Sequence, residues 1–140
     1  MNYPDWRKVE VESTDVLNNW RTLSDLVYPL EDGRMILVKQ GFETDLASIP
    51  RVLWNLYPPM HPDYRGAAIL HDGLYSSELL PRAECDWLFL SALQAQGNSW
   101  WTRNVFYSAV RGFGGSVWSK HTNESRAEAR GFVSVIEKGE

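Results

Sequence analysis

A single cysteine, Cys85, is the only thiol in the 140 residues, so no disulfide can close within the chain. That excludes the stapled small folds of secreted proteins and fits synthesis in a reducing cytosol; Cys85 itself reads as a small buried residue. No run of Lys and Arg occurs and the net charge is −4, so nothing draws the chain to nucleic acid or to an anionic membrane. The longest apolar run, around Trp87 to Leu93, is far too short to span a bilayer. The N-terminal MNYPDWRKVE lacks the apolar stretch of a signal peptide. Repeats, low-complexity tracts and linkers are missing too, which leaves one domain, residues 1–140, with enough chain for a sizeable core. Aromatics are plentiful by contrast: seven Trp, six Tyr and five Phe. Such a composition suits a tight small core or an interface.

The first forty residues read mostly as strands. Val9 and Val11 alternate with Lys8, Glu10 and Glu12, as on a half-exposed strand. Residues 15–23 are ambiguous between a strand and a helical turn. Asp32-Gly33 between the runs Leu26–Leu30 and Met35–Lys39 signals a hairpin, and Pro29 makes its first run an edge strand. Ser48 is expected to cap a short helix in which Pro50 sits in the first turn and Ile49, Val52, Leu53 and Leu56 are anchors, ended by Pro58-Pro59. Asp45, at the strand-to-helix turn, either bonds nearby backbone amides or supplies a metal-binding carboxylate.

From Arg65 to Gln94 the sequence reads as two amphipathic helices joined by a short turn. Ala68, His71, Asp72 and Tyr75 share one face of the first, while Ala67, Leu70 and Leu74 take another. The second carries Arg82, Asp86, Phe89, Leu90 and Leu93, a carboxylate within an apolar stripe. A buried carboxylate is costly unless it is paired, and an antiparallel hairpin of this length brings His71 and Asp86 face to face. Two readings stay open. Asp86 pairs with Arg82 one turn earlier and His71 is a satisfied core histidine; or Asp86 orients His71 as a general base or metal ligand, with Asp72, and Asp45 beside it, on a divalent cation, calcium or magnesium. Arg51 or Arg82 is the alternative counter-charge for those carboxylates. Ser48 as a nucleophile served by His71 is weaker than its capping role. A ligand set of His61, His71, Asp72 and Asp86, in the order of HD-type phosphohydrolases, is a minor option because prolines fix His61 outside the helix.

Gly97 closes the second helix and Ser99 caps a third, on which Trp101, Val105, Ala109, Phe113 and Val117 line one face. Gly112, Gly114 and Gly115 lie inside or near its end and cost about 1 kcal/mol each against alanine, so a close helix contact or a break is expected there. The polar stretch Ser119–Arg130 is a solvated helix or loop, and GFVSVI a last strand. The fold expected is α+β: an N-terminal antiparallel hairpin or small sheet packed on a C-terminal bundle of about three helices.

Two resemblances follow from these residues. His71-Asp72-Gly-Leu-Tyr75 followed by Asp86 resembles the HDxxY helix and facing aspartate of calcium-dependent secretory phospholipases. That resemblance implies His71 activating water, Asp72 on calcium, and Tyr75 and Asp86 steadying the histidine; the disulfides and glycine-rich calcium loop of those enzymes have no counterpart here. Over a longer span, Gly41-Phe-Glu-Thr44-Asp45-Leu-Ala-Ser48-Ile-Pro50-Arg51, Ala67 to Tyr75, Arg82, Asp86 and Tyr107 to Gly114 resemble a family catalogued as domain of unknown function 1353. It groups small proteins of tailed phages and prophages.

The longer resemblance implies a phage origin and a tail- or neck-associated place in the virion, with other virion proteins as partners and the host cytoplasm as the site of synthesis. Three function classes stay open: a virion component docking through tryptophans, a metal-assisted hydrolase (phospholipase-like or cell-envelope-directed) with His71 as general base, and a binding module acting on a host protein. Chain ends tied down by packing would suit the first.

Overall fold

A computed structural model describes residues 3–137; the chain ends, expected to pack, extend into residues 1–2 and 138–140 outside that range. The architecture is α+β, as the sequence implies. A 3-10 turn at Trp6–Lys8 leads into β1 (Val11–Ser13), β2 (Trp20–Thr22), β3 (Leu26–Pro29), β4 (Met35–Val38) and β5 (Glu43–Thr44). A second 3-10 turn (Arg51–Asn55) precedes α1 (Arg65–Ser77), α2 (Arg82–Ala95), α3 (Trp100–Ser119), α4 (Asn123–Arg130) and β6 (Val133–Ile136).

Two antiparallel three-stranded sheets form, in the orders β1-β2-β5 and β3-β4-β6. The β3–β4 hairpin turns at Gly33, whose φ of 93° lies in the left-handed region glycine tolerates. Pro29 ends an edge strand, as its missing N–H requires. The C-terminal strand returns to pair with β4, setting Val38 opposite Val133. The ambiguous stretch before residue 23 resolves into turns and β2, and Val9 sits in the core ahead of β1 rather than on a strand.

Helix α1 is the centre of the molecule. It packs against α2, α4, the first 3-10 turn and strands of both sheets, so every residue from Gly66 to Tyr75 is buried, polar ones included. It ends at Glu78, which adopts a left-handed φ of 51°, and Pro81 then starts α2. Ser99 caps α3 through the Thr102 amide, and a Thr122/Ser125 capping box starts α4. The α3 glycines do not break the helix. Gly114 instead provides the close contact: a Cβ there would overlap the Tyr75 hydroxyl.

One expectation fails, and one face points outward. The segment after β5 is a 3-10 turn that Ser48 does not cap, and its expected anchors Val52 and Leu56 are exposed; the turn is too short to present one continuous apolar face. On α3 the line from Trp101 to Phe113 faces largely outward, and Phe106, Val110 and Gly114 make the buried face instead. Spacing identifies a face but not the side on which the neighbouring helix lies.

Candidate functional site

A line of five side chains runs from a surface cleft through the helical layer: Asp72, Ser48, His71, Asp86 and Arg111. His71 Nε2 lies 2.7 Å from Asp86 Oδ1, so the facing of α1 and α2 expected from their spacing is met. The other oxygen of Asp86 accepts from Arg111 Nη1 at 2.8 Å, with Arg82 Nη1 more distant at 3.6 Å. Arg82, the partner expected from i, i+4 spacing, donates instead to the Tyr75 hydroxyl and the Val110 carbonyl, both at 3.2 Å. Asp86 thus has both partners the sequence offered as alternatives, His71 and the more distant Arg82, plus a third partner from α3, Arg111.

The opposite ring nitrogen, His71 Nδ1, lies 3.0 Å from Ser48 Oγ. Ser48 reaches it from the turn after β5, where local bonds fix the backbone. Thr44 Oγ1 accepts from the Leu46 amide at 3.0 Å and Asp45 Oδ1 from the Ala47 amide at 3.0 Å. Between them Leu46 has a φ of 54°, strained for a branched residue, yet its side chain is buried in the core. Asp45 therefore does the turn chemistry that its position suggested. Asp72 stands beside this turn: its Oδ2 accepts from the Thr44 hydroxyl, and its Oδ1 lies 3.4 Å from Ser48 Oγ.

Burial sets the charge state along the line. Desolvation drives the pKa of His71 below its usual value despite the Asp86 carboxylate, so the ring is neutral, Nε2–H donates to Asp86, and Nδ1 accepts from Ser48. Burial opposes ionisation of Asp86 as well, but hydrogen bonds, led by that from His71, outweigh it and hold its carboxyl below the ordinary range. Asp72 goes the other way: burial raises its pKa to about 6, the Thr44 and Ser48 hydroxyls opposing and the nearby Asp45 charge adding. Burial also raises the Tyr75 phenol, and pushes the Cys85 thiol up to about 12, which keeps that cysteine inert.

The Ser48–His71–Asp86 order has the contacts of a nucleophile–base–orienter set. Its members are closed off: Ser48 is 1% exposed, and His71 and Asp86 are 0% exposed. Phe89 and Tyr75 lie against the His71 ring with centroids 4.5 and 4.3 Å away. With Nε2 committed to Asp86, a hydrolytic water would have to sit at Nδ1, where Ser48 Oγ stands.

Solvent reaches the line only at its two ends, the partly exposed Arg111 side chain and the Asp72 side. A cleft of ≈ 500 Å³ is lined by Thr44, Asp45, Asp72, Ser76, Lys120 and His121 among others, but not by Ser48 or His71. Asp45 and Asp72, expected to share a cation, do share this wall. Arg51 and Arg82, expected as alternative counter-charges, lie elsewhere, Arg51 over the Trp54 ring. Calcium and magnesium require a shell of six or more oxygens. Here both Asp72 oxygens face hydroxyl groups, burial favours the neutral acid, and no three His, Cys, Asp or Glu side chains converge as a ligand set among the described residues. His61 is exposed, stacks on Tyr64 and borders a separate cleft, so it takes no part.

Arg111 and Thr44 are the members for which the sequence suggested no role. Each acts across elements, so spacing within one helix carries no signal of it. No helix among the described residues is long and apolar enough to cross a membrane. No curated protein and no solved structure matches the chain. A family model matches residues 20–110, a span that holds Thr44, Ser48, His71, Asp72, Tyr75 and Asp86 and stops one residue before Arg111. The chain belongs to the family described as Protein of unknown function (DUF1353).

Proposed function

We propose that this protein is a small tailed-phage virion component, tail- or neck-associated, in which the Ser48–His71–Asp86–Arg111 line is a structural brace between α1, α2 and α3 and the turn after β5. The observation that carries the non-catalytic part is His71: it is wholly buried and both its ring nitrogens are engaged by protein atoms. A general base needs a proton donor from substrate or water within reach, and that position is filled. The virion part rests on the motif resemblance, supported by large apolar side chains left on the surface, Trp87, Trp100, Trp101 and Phe113 among them. Exposed aromatics of this kind are what a docked component presents to neighbours.

The test is a phage carrying His71→Ala, scored separately for complete particles and for infectivity. A brace losing its centre gives missing or broken particles. Complete particles that fail to infect would overturn the structural role.

A metal-assisted hydrolase, phospholipase-like or cell-envelope-directed, is the second reading. One observation favours it: Asp72 and Asp45 border an open cleft, with Ser48 and His71 directly behind Asp72. Calorimetric titration with calcium, magnesium and zinc separates the two. Silence with all three is expected of the brace; saturable binding of any, lost in Asp72→Asn, supports the hydrolase.

A further inference from the structure

Apart from the cleft at Asp72, a cleft of ≈ 290 Å³ lies where the β3–β4 hairpin meets α2. On α2 it is lined by Glu84, Trp87, Leu88 and Ser91, whose i, i+3, i+4, i+7 spacing puts them on one face. Opposite stand Tyr28, Glu31 and Arg34 of the hairpin. The turn holds its own shape. The Gly33 amide donates to the Leu30 carbonyl at 3.1 Å, and Arg34 donates to Asp32 from its amide at 3.0 Å and from Nε at 2.8 Å. No residue of this cleft belongs to the Asp72–Arg111 line, so it is independent of the brace.

Tyr28 marks the cleft as a place for a ligand. The residue is 8% exposed, with its ring edge-on to Trp6 at 4.9 Å, yet its hydroxyl has no protein partner among the described residues. Polar groups buried this far are normally bonded. Trp54 Nε1 is the one polar side-chain atom sealed from water without a partner among those residues. The Tyr28 hydroxyl is therefore open to solvent, and the cleft is the opening that Tyr28 lines. Burial raises the phenol above its ordinary pKa, with the Glu31 charge adding, which keeps it protonated as both donor and acceptor.

The other polar groups of the walls differ in kind. The carboxylates of Glu31 and Glu84 only accept, while Arg34, bonded to Asp32 through Nε, has terminal nitrogens left that only donate. Trp87, 58% exposed, adds a flat apolar surface to the same wall. A ligand of one charge meets its like here: an anion faces Glu31 and Glu84, a cation faces Arg34. A purely apolar ligand would cover these groups without bonding them, which is costly. A neutral ring with hydroxyls around its edge and C–H groups on its faces uses them all. We propose that this cleft binds a short neutral saccharide, its ring stacked on Trp87 and its hydroxyls bonded to the Tyr28 phenol, the Glu84 carboxylate and the Arg34 guanidinium. The volume stands at the lower end of small-molecule sites, which suits a ligand of one or two sugar rings. So small a site binds weakly, with a Kd of about 1 mM. It stands whether or not the chain is part of a virion.

Proton–nitrogen NMR of the full, nitrogen-labelled chain tests it. The probes are methyl glucoside, methyl galactoside, N-acetylglucosamine and cellobiose, each raised to about 30 mM, well past a millimolar Kd. Saturable shifts are expected with at least one, at the Trp87 indole and in the amides of residues 31–34 and 84–91. Trp87→Ala, at an exposed position, keeps the circular dichroism and weakens binding at least tenfold. Tyr28→Phe removes only the unpartnered hydroxyl, so it keeps the melting temperature and weakens binding roughly threefold to tenfold, the loss of one hydrogen bond. Silence with all four sugars overturns the proposal. So do shifts that lie elsewhere, or binding that either folded variant leaves intact. Saturation of the cleft by tetramethylammonium or acetate, with none by the sugars, makes it an ion site and overturns the proposal as well.

Discussion

The two sides of Asp72 differ as much as any two regions of the molecule. Behind it, Ser48, His71 and Asp86 form a dry line with nearly every polar atom engaged. In front of it lies a cleft of ≈ 500 Å³, walled by side chains such as Lys120 and His121. The residues with recognisable chemistry are on the closed side, and the volume that could admit a substrate is on the open side. Motif residues alone therefore do not define an active site; access to them does. Asp72 is the partition, and its raised pKa records its position between the two.

Breaking the closed side at its centre has the largest expected effect. His71→Ala leaves the Asp86 carboxylate buried with only its arginine neighbours and removes a ring packed on Phe89 and Tyr75. The expected loss is on the order of 3 kcal/mol or more, read as a fall in the urea midpoint. An equally stable variant would mean that water already supports this site.

Asp72→Asn sharpens the boundary between the two sides. The Asp72 carboxyl rises from an ordinary 3.8 to about 6 in the fold, so the folded chain holds this proton more tightly than the unfolded one. Its contribution is fully present below pH 3.8 and is lost as pH rises through about 6. At neutral pH the substitution removes the cost of burying the charge, and a gain of up to about 2–3 kcal/mol is expected. His71, with its lowered pKa, acts in the opposite sense, favouring the fold above its ordinary 6.5 and weakening it as pH falls. Without Asp72 to oppose it, the variant should lose stability more steeply than the wild type between pH 6 and 4. Parallel profiles from denaturant melts across that range would contradict the assignment.

Ser48→Ala gives the smallest of these effects. It leaves His71 Nδ1 buried without a donor, which costs roughly 1–2 kcal/mol, with the helices still held by Asp86. No loss in urea melts would show that the turn after β5 does not seal the ring.

The sequence made the helix hairpin legible because both helices obey one period and each carries a polar residue on its inner face: His71 and Asp86 were paired from spacing alone. The β3–β4 hairpin was legible through Asp32-Gly33 and Pro29 for equally local reasons. What stayed hidden acts over long separations. Ser48 looked like a cap because Ser before Pro at a helix start usually is one, and only the chain's return past α1 turns its hydroxyl onto His71. Arg111 lies 25 residues from Asp86 on another helix, so no periodicity linked them. The outward line on α3 was read correctly as a face, but which face packs depends on where α2 lies.

The most direct test of the brace is the state of the His71 ring itself, followed by long-range proton–nitrogen NMR of the full chain between pH 8 and pH 5. A closed brace keeps the neutral Nε2–H tautomer as the pH falls through the ordinary histidine value of 6.5. A His71 ring that titrates near 6.5, or exchanges its Nε2 proton at the rate of an exposed histidine, would contradict it and reopen the site to catalysis.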